Sequence, residues 1–171
     1  VEDAARVLRA GADKVAVKTA AVRDPDLVRR LADSFGTQCV VAAVDVRRIG
    51  EGSAEEPSTR VFVTGGRDRT DLDGLEWMGR LEVLGAGEVL LTSMDRDGTR
   101  RGYDLELLAA ASHRVRIPVI ASGGAGRLEH LAEALNAGAH GVLAASIFHD
   151  QGCSLPEARA FLRERGFPVR P

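Results

Sequence analysis

The sequence predicts an α/β fold of parallel βα units, on the strength of three observations. Short apolar runs rich in Val and Ile alternate with longer amphipathic segments, as buried parallel strands and their crossover helices do. A glycine-led turn of one design recurs before three of these runs. Several runs end in small or hydroxyl-bearing residues, which suit the ligand-binding edge of a parallel sheet.

Six apolar runs are predicted strands, because each is short, rich in β-branched residues and bounded by turn residues. They are Val15–Val17, Cys39–Val44, Val61–Val63, Val89–Leu91, Val119–Ala121 and Val142–Ala145. Cys39 is expected to be a small buried side chain of its strand. Since Cys39 and Cys153 lie far apart in the sequence, no disulfide framework is indicated, and a cytoplasmic location is expected.

Five amphipathic segments are predicted helices. Asp24 and Pro25 provide an N-cap and a first-turn proline for the first, whose apolar face includes Leu27 and Leu31 and which Gly36 ends. The others are Leu72–Leu84, Asp104–Ser112, Leu128–Leu135 and Pro156–Arg165. One stretch, Ile49–Thr59, breaks the alternation and is followed by a short strand over Arg60–Gly66. A functional loop and a variable surface loop are equally good interpretations of that stretch.

A short repeat separates two possible architectures. Gly11–Val15, Gly85–Val89 and Gly138–Val142 each combine a helix-ending glycine, a tight turn and a Val-led strand. A β/α barrel reuses one αβ turn in this way, whereas a doubly wound sheet does so less strictly. The barrel is therefore favoured, although 171 residues fall short of the ~250 of a closed eight-fold barrel.

Composition narrows the classes of function. A net charge of −2 argues against nucleic-acid binding, and no apolar run approaches the ~20 residues that cross a membrane. The four histidines show no metal-ligand spacing, so no metal or other cofactor is expected; of these, His130 and His140 are expected to be exposed. The chain begins at Val1 within a helical pattern and without an initiator Met, and is expected to be the later part of a longer protein.

Asp45 is the first candidate for chemistry. It follows an otherwise apolar run, and a partly desolvated carboxylate at the carboxyl end of a buried strand can act as a general acid or base. A structural ion pair with Arg47 or Arg48 explains this residue equally well. Lys14 and Lys18 are distinctive because Lys is rare in this chain and both belong to the first predicted strand.

Three later strand ends predict one shared pocket. Hydroxyls at Thr92 and Ser93 precede Asp97 and Gly98, where Gly allows close backbone approach and Asp accepts hydrogen bonds from a ligand. An Asx turn with Thr99 is the alternative without a ligand. The next two ends, Ser122-Gly123-Gly124 and Ala144-Ala145-Ser146, suit the phosphate site that β/α barrels commonly build after strands seven and eight. Tight turns explain either end alone, but both together less well.

Five segments carry a resemblance to a known family. They are Ala10–Val22, Gln38–Arg48, Gly85–Asp104, Pro118–Gly126 and Leu143–His149. Through them the chain resembles the cyclase subunits of imidazole glycerol phosphate synthase, from histidine biosynthesis, over nearly its whole length. The resemblance implies a (β/α)8 TIM barrel, of which residues 1–171 would be a single partial domain carrying about strands 4 to 8, an incomplete barrel.

The resemblance also implies an activity. Members of this family are lyases that use ammonia to convert a ribulosyl aminoimidazole-carboxamide nucleotide, which has a phosphate at each end, into imidazole glycerol phosphate and aminoimidazole-carboxamide ribotide. A glutaminase subunit docks on the amino-terminal face and supplies the ammonia through the barrel axis. Two Asp act as general acid and base. The fifth-strand Asp matches Asp45, and the first-strand Asp has no counterpart here. This chain alone is therefore expected to have negligible cyclase activity.

The remaining site residues follow from the same resemblance by position. Lys18 and Thr19 match one phosphate site, where the family usually has Asn in place of Lys18. Lys14 and Glu88 match charged residues at the ammonia entrance, although a surface ion pair would also explain them. The residues expected to bind substrate and the second phosphate are Thr92, Asp97, Gly98, Ser122, Gly123, Gly124, Ala145 and Ser146.

Two other functions stay open at this point. The first is the sister isomerase, which acts one step earlier in the same pathway and shares the phosphate-type strand ends. The second is a non-catalytic, phosphate-binding half-barrel that self-associates, because an unclosed parallel sheet exposes edges that invite pairing.

Overall fold

The computed structural model describes residues 1–50, 53, 57–150 and 152–170. The strands within these residues are β1 Val15–Val17, β2 Val40–Arg48, β3 Thr59–Val63, β4 Asp68–Arg69, β5 Glu88–Ser93, β6 Val119–Ser122 and β7 Gly141–Leu143. The helices are α1 Glu2–Arg9, α2 Thr19–Arg23, α3 Asp26–Phe35, α4 Gly74–Val83, α5 Leu105–Arg114, α6 Leu128–Asn136, α7 Ser146–His149 and α8 Leu155–Glu164. The predicted alternation of strands and helices is confirmed.

The main sheet is parallel and follows the order of the chain. β1 pairs with β2, β2 with β5, β5 with β6, and β6 with β7, all in parallel. At least one helix lies between each parallel strand and the next, as crossover connections require. The order does not reverse anywhere among the described strands, whereas a doubly wound sheet reverses at a switch point. The arrangement is thus an α/β fold with a largely parallel sheet, consistent with the TIM-barrel family.

Among the described residues, the two faces of this sheet differ in burial. Ala42, Val44 and Val46 alternate with Ala43 and Asp45 along β2, and the first three are at most 1% exposed. The same alternation of buried and half-buried residues runs along β5 and β6. Because successive side chains of a strand point to opposite faces, one face carries the core and the other stays open. A barrel wall has this asymmetry.

The repeated αβ turn is confirmed in detail. Gly11, Gly85 and Gly138 have φ values of 105°, 102° and 105°, in the left-handed region that glycine adopts freely. After each of them, the next residue's N–H donates to the carbonyl oxygen five residues back, at 3.3, 3.0 and 3.1 Å. This is the Schellman ending of a helix, which satisfies carbonyls that the helix leaves free.

An antiparallel hairpin departs from the parallel pattern. β3 pairs antiparallel with the carboxyl half of β2, and β4 pairs with β3. The predicted short strand over Arg60–Gly66 is therefore β3, which ends at Val63 before a turn. Of the predicted loop Ile49–Thr59, residues 51, 52 and 54–56 lie outside the described residues.

The structure corrects one local prediction and bears out another. Cys39 belongs to a 3₁₀ turn, Thr37–Cys39, and is partly exposed, because β2 begins one residue later. Asp24 and Pro25 begin α3 as predicted: Pro25 already has helical dihedral angles, whereas Asp24 does not. The Arg30 guanidinium, 2.6 Å away, and the backbone N–H groups of Leu27 and Asp26 lower the pKa of the Asp24 carboxyl. The predicted ends of the other helices agree to within two residues.

Candidate functional site

A row of polar side chains crosses the carboxyl end of the sheet on its open face. Asp45 of β2 lies opposite Thr92 of β5, and Thr92 lies opposite Ser122 of β6. Residues paired in this way in parallel strands point to the same face. All three side chains are half-buried. Asp45, Thr92 and Ser122 therefore lie side by side in one row, here called the mouth.

Lys18 is the partner of Asp45. The Lys18 ammonium nitrogen lies 2.6 Å from Oδ2 of Asp45, and the two side chains are 34% and 14% exposed. The alternative pairing of Asp45 with Arg47 or Arg48 is wrong. Arg47 lies 3.7 Å from Asp95, and Arg48 faces the other side of the strand. Among the described residues, no hydrogen bond to Oδ1 of Asp45 accompanies this contact.

Thr19 lies beside this pair at the start of α2. Its hydroxyl oxygen accepts a hydrogen bond from the backbone N–H of Thr64, at 3.1 Å, in the turn of the β3–β4 hairpin. Thr64 itself has a φ of 55°, and its buried hydroxyl has no hydrogen-bond partner in the described structure. The hairpin tip therefore packs onto the Thr19 side of the mouth.

The other predicted residues line one small cavity on the opposite side of the mouth. This cavity, here called the cradle, has a volume of about 60 Å³. Its lining includes Asp97, Gly98, Ser122, Gly123, Gly124, Ala145 and Ser146, together with Arg100. Every residue assigned from the sequence to the second phosphate site is thus brought together. Three strand spacings, about 15 Å, separate the cradle from Lys18 and Thr19 across the sheet.

Two glycines are required to form the cradle. Gly123 and Gly124 have φ values of 93° and 107°, in the left-handed region. A Cβ at Gly123 would lie 2.8 Å from the Ser93 carbonyl oxygen, and one at Gly124 would lie 2.3 Å from that of Gly102. The Gly102 N–H also donates to the Gly124 carbonyl at 2.8 Å, which holds the loop after β5 against the loop after β6. The backbone here leaves room for no side chain.

The turn after β5 is held by its backbone. The N–H groups of Arg96 and Asp97 donate to the Ser93 carbonyl, and the Thr99 N–H and hydroxyl donate to the Arg96 carbonyl. The alternative of an Asx turn with Thr99 is not formed, since the Asp97 carboxylate accepts no hydrogen bond within the described residues. Asp97 is exposed at the edge of the cradle and is available to a ligand.

A partly buried ion-pair network, which the sequence patterns did not predict, lies next to this turn. Arg48 donates to both carboxylate oxygens of Asp104, at 3.0 and 2.6 Å, and lies 3.0 Å from Glu106. Asp104 also caps α5 through the Leu107 N–H. Burial opposes ionisation of Asp104 and is the largest single influence, but the bonds from Arg48 and Leu107 together outweigh it and lower the pKa of Asp104. An arginine at a strand end and an N-cap aspartate were the available signals.

Two further side chains brace the loops around the mouth. Tyr103 is buried, and its hydroxyl donates to the Leu143 carbonyl at 2.8 Å, which joins the β5 loop to the end of β7; burial raises its pKa. His130 is also buried, so its predicted exposure is wrong, whereas His140 is exposed. Nδ1 of His130 accepts from the Gly126 N–H at 3.0 Å, and burial is the first cause that lowers the His130 pKa. The His130 ring therefore holds the loop at Gly126 in place.

Lys14 and Glu88 form an ion pair at the opposite end of the sheet. Lys14 directly precedes β1, and Glu88 is the first residue of β5, in register with Val41 on the open face. Four residues of β2 separate this level from Asp45, which is a distance of about 13 Å. The pair thus lies on the same face as the mouth but at its amino-terminal end.

The described residues contain neither a metal-binding cluster nor a membrane-spanning helix. No group of three or more His, Cys, Asp and Glu side chains there is arranged to hold a metal ion. None of the described helices is both long and apolar enough to cross a membrane.

Comparisons with known proteins agree with this geometry. Residues 1–154 match the sequence model of the family described as "Histidine biosynthesis protein". Over 169 residues, or 99% of its length, the chain is 52% identical to the curated protein "Imidazole glycerol phosphate synthase subunit HisF" of Thermobifida fusca (strain YX). The chain spans 66% of the length of that relative.

Proposed function

Because the chain belongs to the histidine biosynthesis protein family, we propose that it supplies the acid–base residue and both phosphate contacts of an imidazole glycerol phosphate synthase cyclase subunit. The observation that carries the proposal is the mouth itself, where Asp45, Thr92 and Ser122 share one row between Lys18 and the cradle. In this proposal the sheet is part of a (β/α)8 barrel, with β1, β2, β5, β6 and β7 as strands four to eight.

The spacing of the mouth suits a substrate with a phosphate at each end. One phosphate would contact Thr19 and the Lys18 ammonium, and the other would enter the cradle, about 15 Å away across the sheet. Backbone N–H groups near Gly123 and Gly124 can approach an anion closely, because no side chain intervenes. The substrate is therefore a phosphoribulosyl-formimino aminoimidazole-carboxamide ribotide, held across the row that contains Asp45.

Asp45 is the residue proposed to transfer a proton. Its Oδ2 is held by Lys18, and no hydrogen bond to its Oδ1 accompanies this contact among the described residues. One oxygen is thus fixed while the other can exchange a proton with substrate, as general acid–base catalysis requires. The resemblance implies a second Asp across the mouth, which has no counterpart in these 171 residues.

Ammonia is proposed to enter from the opposite end of the sheet. Lys14 and Glu88 would form part of the entrance, because both charges lie on the open face about 13 Å below Asp45. A glutaminase subunit docked on that end would supply the ammonia, so the working enzyme is a heterodimer. The enzyme is proposed to act in the cytoplasm, because Cys39 and Cys153 are free thiols and a reducing compartment keeps thiols free.

The test is ammonia-dependent turnover of the proposed substrate. This chain alone is expected to show negligible turnover. Mixing it with the segment of the Thermobifida relative that it does not cover is expected to restore activity. In that mixture D45N is expected to lower kcat by about 100-fold or more. The matched control is D33N on the exposed side of α3, which is expected to leave turnover unchanged. Full turnover by D45N would refute the assignment of Asp45.

One observation favours a second candidate function. Within the described residues, β1 pairs with another parallel strand on one side only, and so does β7. Such edges can pair with a second copy of the chain, and a phosphate-binding, self-associating half-barrel would result. Sedimentation and phosphate titration test the half-barrel function, which a monomer that binds no phosphate would exclude. A separate assay of the restored protein with the isomerase substrate tests the third function, since turnover would indicate the sister isomerase.

A further inference from the structure

We propose that Arg100 is the cation of the cradle, held by Asp150 until a phosphate displaces that carboxylate. The inference rests on the proposed function, because it takes the cradle to be a phosphate site. It concerns a residue that neither the motifs nor the resemblance assigned to the site.

The charges that line the cradle make a cation necessary. Asp97 and Arg100 are the ionisable side chains among the described residues of the lining, and the rest are Gly, Ala, Ser and Leu. A phosphate that entered on backbone N–H groups alone would face the exposed carboxylate of Asp97. A guanidinium that binds two phosphate oxygens at once would offset that repulsion and form charge-assisted hydrogen bonds.

The backbone at Arg100 is held in a conformation that a glycine would adopt more easily. Its φ is 59°, and Arg100 and Thr64 are the non-glycine residues with positive φ in the described chain. Its carbonyl packs against Gly126, where a Cβ would lie 2.2 Å from that oxygen. Non-glycine residues in this region cluster at ligand sites, where their side chains are needed in a set place. An arginine kept at such a position indicates a function of the side chain.

The present partner of Arg100 is one that a phosphate can replace. The guanidinium forms an ion pair with Asp150, and both side chains are 49% exposed. An exposed pair of this kind contributes little stability, so its exchange for a dianion costs little. Asp150 directly follows α7, and Ser146 at the other end of α7 lines the cradle, about 6 Å away along the helix. The pair therefore holds the guanidinium beside the site it would serve.

The inference predicts opposite effects for the two members of the pair. Inorganic phosphate is titrated into the full chain at constant ionic strength, and binding at the cradle is followed through the amide NMR signals of Gly123 and Ser146. We expect R100M to weaken phosphate binding by about tenfold, because a charge-assisted contact is lost. We expect D150N to tighten it severalfold, because the competing carboxylate is removed. The matched control R101M changes the exposed neighbouring arginine, which does not line the cradle, and is expected to stay within about twofold of the wild type.

The outcomes separate this inference from the proposed function. If the wild type binds phosphate at the cradle and R100M binds equally well, the assignment of Arg100 is overturned and the phosphate site survives. If R100M and D150N lose thermal stability alike while their phosphate affinity is unchanged, the pair is only a structural tie, and the inference also fails. If the wild-type cradle binds no phosphate, the phosphate site itself is refuted, and the role of Arg100 with it.

Discussion

The two sides of the mouth are built from different kinds of chemical group. On the β1–β2 side of the mouth the polar groups are charged side chains, and Lys18 and Asp45 are already paired. A second pair, Arg48 and Asp104, lies behind them on the helix-packed face of β2. On the β6–β7 side the site is made from backbone and small residues, with Gly123 and Gly124 in conformations that leave no room for a Cβ. A backbone site is preorganised, because its donors cannot rotate away. A site of paired charges must exchange partners when a ligand binds.

This difference affects what a mutation can do. A substitution in a charged pair removes one partner and leaves the other charge unpaired. Its effect on stability therefore depends on how buried that charge is and on the pH. A substitution on the backbone side changes the shape of the loop, so the effect combines strain with loss of binding. Three predictions test whether the two sides respond in these ways.

The largest effect is expected from R48M, in the charged pair on the helix-packed face of β2. It leaves the carboxylate of Asp104, which is 5% exposed, without its main partner, and breaking such a buried pair costs about 3 kcal/mol at pH 7. The lowered pKa of Asp104 in the folded chain means that its stabilisation is present above the ordinary value of 3.8 and is lost as the pH falls through the folded pKa. Urea unfolding of wild type and R48M should therefore differ most near pH 7 and converge below pH ~4.

The control for R48M is R47M. Arg47 is exposed and lies 3.7 Å from Asp95, so its loss should change the free energy of unfolding by less than about 1 kcal/mol. A constant difference between R48M and wild type from pH 7 to pH 3 would show that the Asp104 charge is not what Arg48 stabilises.

A smaller loss of stability, joined to a loss of binding, is expected from G124A on the backbone side. Its φ of 107° strains an alanine, and the new Cβ would lie 2.3 Å from the Gly102 carbonyl oxygen. We expect about 2 kcal/mol of destabilisation and at least a tenfold weaker affinity for inorganic phosphate. The matched variant G98A has a φ of 73° but no atom near the new Cβ, so it carries strain without a clash. Equal phosphate affinities for G124A and G98A would contradict the preorganised cradle.

The smallest effect is expected from K18M. It removes the partner of Asp45, whose carboxylate remains partly open to water, so the free energy of unfolding should fall by about 1 kcal/mol. A double-mutant cycle with D45N measures the coupling between the two side chains. K14M, at the other end of β1, breaks a more exposed pair and should cost less than about 0.5 kcal/mol. A coupling energy indistinguishable from zero would mean that Lys18 does not hold Asp45.

The sequence predicted most of what depends on neighbours along the chain. The apolar runs became strands, and the three glycine-led turns adopted one geometry with closely similar φ values. The cradle was also predictable, because its glycines and small residues stand at the ends of recognisable strands. Parallel strands bring those ends to one edge, so local patterns were enough to bring them together.

The errors concern residues whose surroundings come from distant parts of the chain. His130 is buried because the loop after β5 passes over α6, where a Cβ at Gly102 would lie 3.4 Å from its ring. Arg48 pairs with Asp104, 56 residues away, rather than with its neighbour Asp45. Arg100 reaches the cradle because its backbone has a positive φ, and an arginine at that position does not predict such a φ.

The amino-acid sequence by itself determined the strands, the repeated turns and the small residues at the strand ends, since these follow from side-chain period, β-branching and the freedom of glycine. Only the tertiary structure decided which charges pair, which face of the sheet stays open and which cation stands beside the cradle. The partner of a charged side chain depends on distance in space and on burial. Neither quantity can be read from the order of the residues along the chain.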